Sequence, residues 1–289
     1  MRTVPISQVE SPSGKDADYE NFPVGSWLIS PKLRSHVHIF YHFARVIDDV
    51  ADNSFLTPEE KLVRLSGFHD AIDGFNSDNP DFIAGHRMRS SLIETNSNPK
   101  HCFDLIKAFK QDVVKNRYQN WQELIDYCLL SAAPVGRYLL DLHGESADKY
   151  FAADALCSAL QVLNHLQDCK DDFYDLNRIY LPLAFFKEEA IVYNALKTQR
   201  SCMNFRLGIE KILSNTNTLI KDAKSLPRSL LSRRLSMETQ SIINIADKLS
   251  KKLSENDPLL NRIKLSKTQY LFCCILGGIK GLVLGTKFA

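Results

Sequence analysis

Few features of this chain favour covalent or metal cross-linking. Its seven cysteines are odd in number and include no C-x-x-C pair. A disulfide framework or a cysteine-ligated zinc site is therefore not expected, and reduced thiols of a cytoplasmic protein are. An excess of one charge is also missing: 36 Lys and Arg face 34 Asp and Glu. Bulk nucleic-acid binding needs a clear basic surplus, so nucleic acid is not an expected partner. Residues 1–18 lack the apolar core of a signal peptide and read as a loose, polar lead-in. A long apolar run is absent too. Residues 270–279 (YLFCCILGGI) are uncharged, but Lys280 and nearby glycines interrupt them well short of the ~20 residues that a bilayer span requires. Two readings stay open for this segment: a terminal helix packed on the core, or a peripheral membrane anchor.

Twelve glycines and eleven prolines leave long stretches without a helix breaker, and no Asn-Gly or Asp-Gly hairpin signal separates alternating runs. Thr57-Pro58-Glu59-Glu60 combines an N-cap, a first-turn proline and a capping-box glutamate. Apolar residues recur at helical spacing in Leu156, Leu160, Leu163 and Leu166, and again in Leu124, Cys128, Ala132, Val135 and Leu139. A chain of this length buries roughly 75% of its unfolded surface. The expectation is one all-α domain over residues 19–289, built from about ten helices.

Residues 41–52 (YHFARVIDDVAD) place Asp48 and Asp52 on one helical face, with Arg45 and Tyr41 one and two turns earlier. Like charges four apart cost a helix roughly 0.2–0.5 kcal/mol. Three aspartates among Phe43, Val46, Ile47 and Val50 therefore call for a compensating cation. Residues 161–172 (QVLNHLQDCKDD) repeat the logic: Asn164, Asp168 and Asp172 align, with Gln161 and Asp171 nearby. All-oxygen donors of this kind suit Mg²⁺, which is usually held by a few carboxylates, waters and substrate phosphates. A single D-D-x-x-D is a common accident of solvated helices; two, interleaved with apolar residues, are not. A metal-bridged diphosphate becomes a good leaving group, and Arg45, Arg117 and Arg178 are candidates to complete the clamp.

With these motifs in view, the sequence resembles the squalene/phytoene synthase family, from about residue 19 to about residue 182 and more weakly beyond. The resemblance rests on residues 44–52 (ARVIDDVAD), Tyr127-Cys128 with Pro134-Val135-Gly136, residues 161–172, and residues 178–182 (RIYLP). It implies a single-domain isoprenoid (terpenoid) synthase helical bundle with a central cavity. Asp48, Asp52, Asn164 and Asp168 would then be Mg²⁺ ligands, supported by Asp49 and Asp172. Tyr41, Arg45, Gln161 and Arg178 would line the diphosphate site, and Asn21 and Phe22 the substrate entrance.

Within the family the chain is most similar to the branch that converts presqualene diphosphate and water to hydroxysqualene. Residues 20–24 (ENFPV), 111–113 (QDV), 116–118 (NRY), 131–137 (SAAPVGR) and 164–169 (NHLQDC) carry that likeness. Gln167 stands where head-to-head synthases usually have an arginine, and Asn21-Phe22-Pro23 replaces a serine-containing entrance. Both departures weigh against the alternative, head-to-head coupling of farnesyl or geranylgeranyl diphosphate to squalene, dehydrosqualene or phytoene. A non-catalytic assembly factor is a third reading, opposed by the intact aspartates. The group that guides water is left open among His36, His38 and His165. The resemblance also implies work at the inner face of the cytoplasmic membrane, beside the enzymes that supply the substrate and reduce the alcohol.

Overall fold

The computed structural model describes residues 29–77 and 79–284. Among them are twelve α-helical segments and three 3₁₀ turns, and the β pairing is confined to an isolated bridge between Arg117 and Ile179. The all-α class expected from the sequence is thus the observed one. The helices fall into two compact units, Met1–Val114 and Lys115–Ala289.

The first unit contains α1 (Pro31–Asp52), α2 (Pro58–Asp73), α3 (Ile83–Thr95) and α4 (Lys100–Val114). Helix α1 turns Val37, Phe40, Phe43, Ile47 and Val50 inward. It packs on α3 and α4. Complete burial of Phe43 and Ile47 stabilises the unit by roughly 1.5–3 kcal/mol each. Phe43 also meets Phe68 of α2 edge-on, with centroids 6.3 Å apart. The start of α2 is the capping box read from the sequence, with Thr57 and Glu60 exchanging side-chain-to-backbone hydrogen bonds.

The second unit contains α5 (Trp121–Ser131), α6 (Ala133–Leu142), α7 (Tyr150–Leu176), α8 (Glu189–Thr198), α9 (Met203–Ala223), the single turn α10 (Leu226–Ser229), α11 (Arg233–Glu255) and α12 (Lys267–Leu284). The stripe from Leu124 to Leu139 is divided between α5 and α6, because Ala132 leaves helical geometry at φ −121°. Pro134 explains the break: it lacks the N–H that a continuous helix would need, but fits the first turn of a new one.

Helix α7 is the axis of this unit, about 40 Å long at 1.5 Å per residue, and packs against α5, α6, α9 and α11. Gly136 lets α6 come close, since a Cβ there would stand 2.7 Å from Cys157 Sγ. Helices α11 and α12 approach even more tightly. A Cβ on Gly277 would lie 2.3 Å from Ser241 Cα, and one on Gly281 2.5 Å from Met237 Cα. Ser241 and Asn244 of α11 donate to the carbonyls of Cys274 and Cys273 at 3.1 and 3.2 Å, fixing α12 in place.

Candidate active site

The first acidic motif occupies the last turns of α1. Because Phe43, Ile47 and Val50 face the core, Arg45, Asp48, Asp49 and Asp52 are left at its half-buried margin. Arg45 bridges two of the carboxylates: Nη1 reaches Asp48 Oδ2 at 2.9 Å, and Nη2 reaches Asp49 Oδ1 at 3.3 Å. That guanidinium offsets the like-charge repulsion of the turn. Asp52 is the last residue of the helix and Tyr41 lies one turn before Arg45, both half-buried.

The second motif lies on the C-terminal half of α7. Asn164, Asp168 and Asp172 are half-buried on one side, and Asp171 is exposed. Arg262, on the connector between α11 and α12, forks onto Asp168: Nε donates to Oδ1 and Nη2 to Oδ2, the latter at 2.9 Å. Both side chains are 15% exposed. The connector is well anchored. Asp257 accepts from Ser201 Oγ at 2.5 Å, Lys252 Nζ donates to Lys264 O at 2.6 Å, and Leu259 and Ile263 are buried.

Gln167, one residue before Asp168, is a candidate substrate contact by its place in the motif. It is buried, and its Nε2 donates to Ile263 O at 2.5 Å. It therefore tethers the connector one residue from Arg262. Arg117 also has local partners. Nε donates to Tyr193 OH at 2.9 Å, Nη2 to Asn177 Oδ1 at 2.8 Å, and Nη1 to the carbonyls of Asn116 and Asn177. Asn177, left-handed at φ 52°, ends α7, and Arg117 fastens that end to α8. Arg178, the next residue, is buried and donates to Tyr180 OH at 3.4 Å.

Beneath the second motif lies a ring cluster. His165 stacks on Tyr180 with centroids 3.7 Å apart, and Tyr118 stacks on the same tyrosine at 5.4 Å. The Gln161 amide approaches His165 Nε2 at 3.2 Å, and His165 Nδ1 lies 4.0 Å from Asp172 Oδ2. Burial, and secondarily the nearby Arg178 cation, lower the His165 pKa to about 3. The ring is neutral at physiological pH, so with the Gln161 amide donating to Nε2 it presents its Nδ1 proton toward Asp172. Of the other histidines considered for water handling, His36 is buried against Ser91 Oγ at 2.8 Å and His38 is exposed.

The donors of each motif suit a hard divalent cation: carboxylates, with an amide oxygen from Asn164 in the second. No group of three His, Cys, Asp or Glu side chains converges to cage a metal among the described residues. A metal that retains water and shares substrate phosphates needs no such cage, and Mg²⁺ behaves in that way. Asn21 and Phe22 lie outside the described residues.

Arg262 was missed by sequence reasoning because it stands 94 residues from its partner and belongs to no periodic pattern. Gln167, in contrast, carried a usable signal. It stands four residues after Leu163, on the buried stripe of α7.

These motifs, on an all-helical frame, match a known family. The squalene/phytoene synthase family profile fits residues 16–269, and the chain belongs to that family. The match continues through the connector and into α12, well beyond the segment whose motifs first suggested it. Among curated relatives, the hydroxysqualene synthase of Sinorhizobium fredii is 38% identical over 252 residues, covering 87% of this chain and 85% of the relative. That of Rhodopseudomonas palustris is 37% identical over 265 residues, covering 92% and 90%. Among solved structures, squalene synthase HpnC from Alicyclobacillus acidocaldarius superposes with a TM-score of 0.71 at 25% identity, covering 83% of this chain and 89% of that one.

Proposed function

We propose that this chain is an enzyme that converts presqualene diphosphate and water to hydroxysqualene and diphosphate. The observation that carries the reading is the likeness to hydroxysqualene synthases over nearly the full length of both partners, 37–38% identical. The buried Gln167 supports it, because an amide tethered to a backbone carbonyl supplies no cation for a second diphosphate.

Asp48, Asp52, Asn164 and Asp168 are the proposed Mg²⁺ ligands, supported by Asp49 and Asp172. When bound, Mg²⁺ neutralises the diphosphate oxygens and makes the group able to leave. Arg45, Arg178 and Arg262 supply guanidiniums for those same oxygens, and Tyr41 and Gln161 line the site. The C–O bond breaks with its electron pair leaving on the diphosphate. Water then adds to the rearranged cation and loses a proton. The apolar helix faces hold other water away until capture. No hydride is delivered, so no nicotinamide cofactor is required.

The product is a C30 alcohol, which is soluble in lipid and hardly in water. The reading therefore places the enzyme at the cytoplasmic membrane's inner face, near the enzymes that make its substrate and consume its product. Purified protein incubated with presqualene diphosphate and Mg²⁺ should release diphosphate and form a C30 alcohol that takes its oxygen from ¹⁸O-labelled water. Failure to form the alcohol, with turnover of farnesyl diphosphate alone instead, would establish the head-to-head reading.

A further inference from the structure

Helix α12 is amphipathic in an inverted sense. Its small residues face the protein and its large apolar ones face out. Gly277 and Gly281 meet the backbone of α11, and Cys273 is buried. On the other side Leu271, Phe272, Ile275, Ile279, Leu282 and Val283 are between 51% and 79% exposed. At 100° per residue these six side chains, with Leu276, fill an arc of about 140°. Lys267 and Lys280 then fall about 40° beyond the two edges of that arc. Single exposed apolar residues are ordinary, but a contiguous stripe along about three and a half turns marks an interaction surface.

We infer that this face of α12 docks on the surface of an anionic lipid bilayer, with the apolar stripe entering the headgroup boundary and the flanking lysines meeting lipid phosphates. Charge complementarity selects this occupant. Residues 258–289 contain Arg262, Lys264, Lys267, Lys280 and Lys287 and no Asp or Glu. A second copy seated on the same face would therefore set lysine against lysine, with no Asp or Glu side chain in that stretch to pair with them. A bilayer offers phosphate to both lysine rows and an apolar interior to the stripe between them. Long lysine stems suit this arrangement because the ammonium can reach up to the phosphates while the methylenes stay in apolar surroundings. No described helix is long and apolar enough to cross a membrane, so α12 would lie along the surface. Its hydrogen bonds and glycine contacts with α11 make it a fixed part of its unit, which removes the ordering entropy that a free tail must lose on binding.

The inference rests on the proposed function only in that a C30 alcohol needs a lipid phase to leave into. Its test uses no substrate, so either idea can fail alone. The full chain is centrifuged with vesicles of phosphatidylcholine alone or with 30% phosphatidylglycerol, beside the variants Phe272→Glu/Ile279→Glu and Lys267→Glu/Lys280→Glu. Wild-type protein should partition onto the anionic vesicles at least tenfold better than onto neutral ones, with the preference falling as salt rises. Both variants should lose at least tenfold of that binding while keeping wild-type circular dichroism and melting temperature, since their side chains are solvent-facing. Wild type that stays in the supernatant, binding indifferent to lipid charge, or variants that bind as well as wild type would each overturn the inference. So would a wild-type dimer on gel filtration that the Phe272→Glu/Ile279→Glu variant abolishes, which would show a second copy of the chain to be the occupant. If the double variant misfolds, Lys280→Glu alone must still weaken anionic-vesicle binding.

Discussion

The bidentate pair between Arg262 and Asp168 should contribute measurably to folding, and a double-mutant cycle can isolate its share. Fully exposed ion pairs are worth about 0–1 kcal/mol. Breaking a fully buried pair costs about 3–5 kcal/mol, much of it from the stranded charge. With both side chains 15% exposed and two parallel N–H···O contacts, the coupling falls between these limits, at about 2 kcal/mol. That is roughly a 30-fold change in the folding equilibrium. The cycle compares wild type, Asp168→Asn, Arg262→Met and the double variant by urea unfolding in EDTA. Each single variant should lose more than half of what the double variant loses. On the proposed function, adding Mg²⁺ with inorganic diphosphate should shrink the coupling, because each member of the pair would then have another partner. A coupling below about 0.5 kcal/mol in EDTA would show that the fork contributes no more than a solvated contact does.

Three other perturbations test other parts of the structure. Gly277→Ala should lower stability by about 1–3 kcal/mol because its Cβ meets the Ser241 backbone, whereas Gly278→Ala, whose nearest contact is Met237 Cε at 3.6 Å, should be neutral or better in thermal melts. The His165 pKa lies near 3, below its ordinary 6.5, so the unfolded chain binds the extra proton first and His165 costs stability progressively as pH falls from 6.5 toward 3. Between pH 7 and pH 5 a His165→Gln variant should accordingly lose about 1–2 kcal/mol less than wild type in urea titrations, and parallel slopes would contradict the neutral assignment. Gln167→Arg should bury a cation where an amide now holds Ile263 O, lowering the melting temperature and loosening the connector in hydrogen exchange. An unchanged melt would place residue 167 at the solvent edge after all.

Local chemistry was legible in the sequence and long-range pairing was not. The Thr57 capping box and the bridge from Arg45 to Asp48 and Asp49 involve residues three and four apart, a distance that helical periodicity fixes. The partition of Leu124 to Leu139 between two helices was hidden because the apolar spacing continues across Ala132, and only Pro134 marks the break. Arg117 was a candidate phosphate ligand because arginine can hold phosphate oxygens bidentately. Its contact with the left-handed Asn177, set by how α7 ends, had no local signal. The 270–279 segment had two open readings, core helix or surface anchor. The structure shows a face packed on α11, as the first reading expects, and an exposed apolar face opposite, whose occupant the vesicle test identifies.

Arg45 and Arg262 have a consequence for the order of events at the acidic motifs. A carboxylate already holding a guanidinium is a weak ligand for a free divalent ion, since the newcomer must displace a fitted cation. Likewise, an arginine held by aspartate has little left for a lone anion. On the proposed function, metal and diphosphate arriving together would leave the carboxylates to the metal and the arginines to the phosphates, with no charge stranded. The two ligands would then be thermodynamically linked, each raising the affinity for the other by the same factor. Such an arrangement would act as a logical conjunction, answering weakly to metal or to anion and strongly to both.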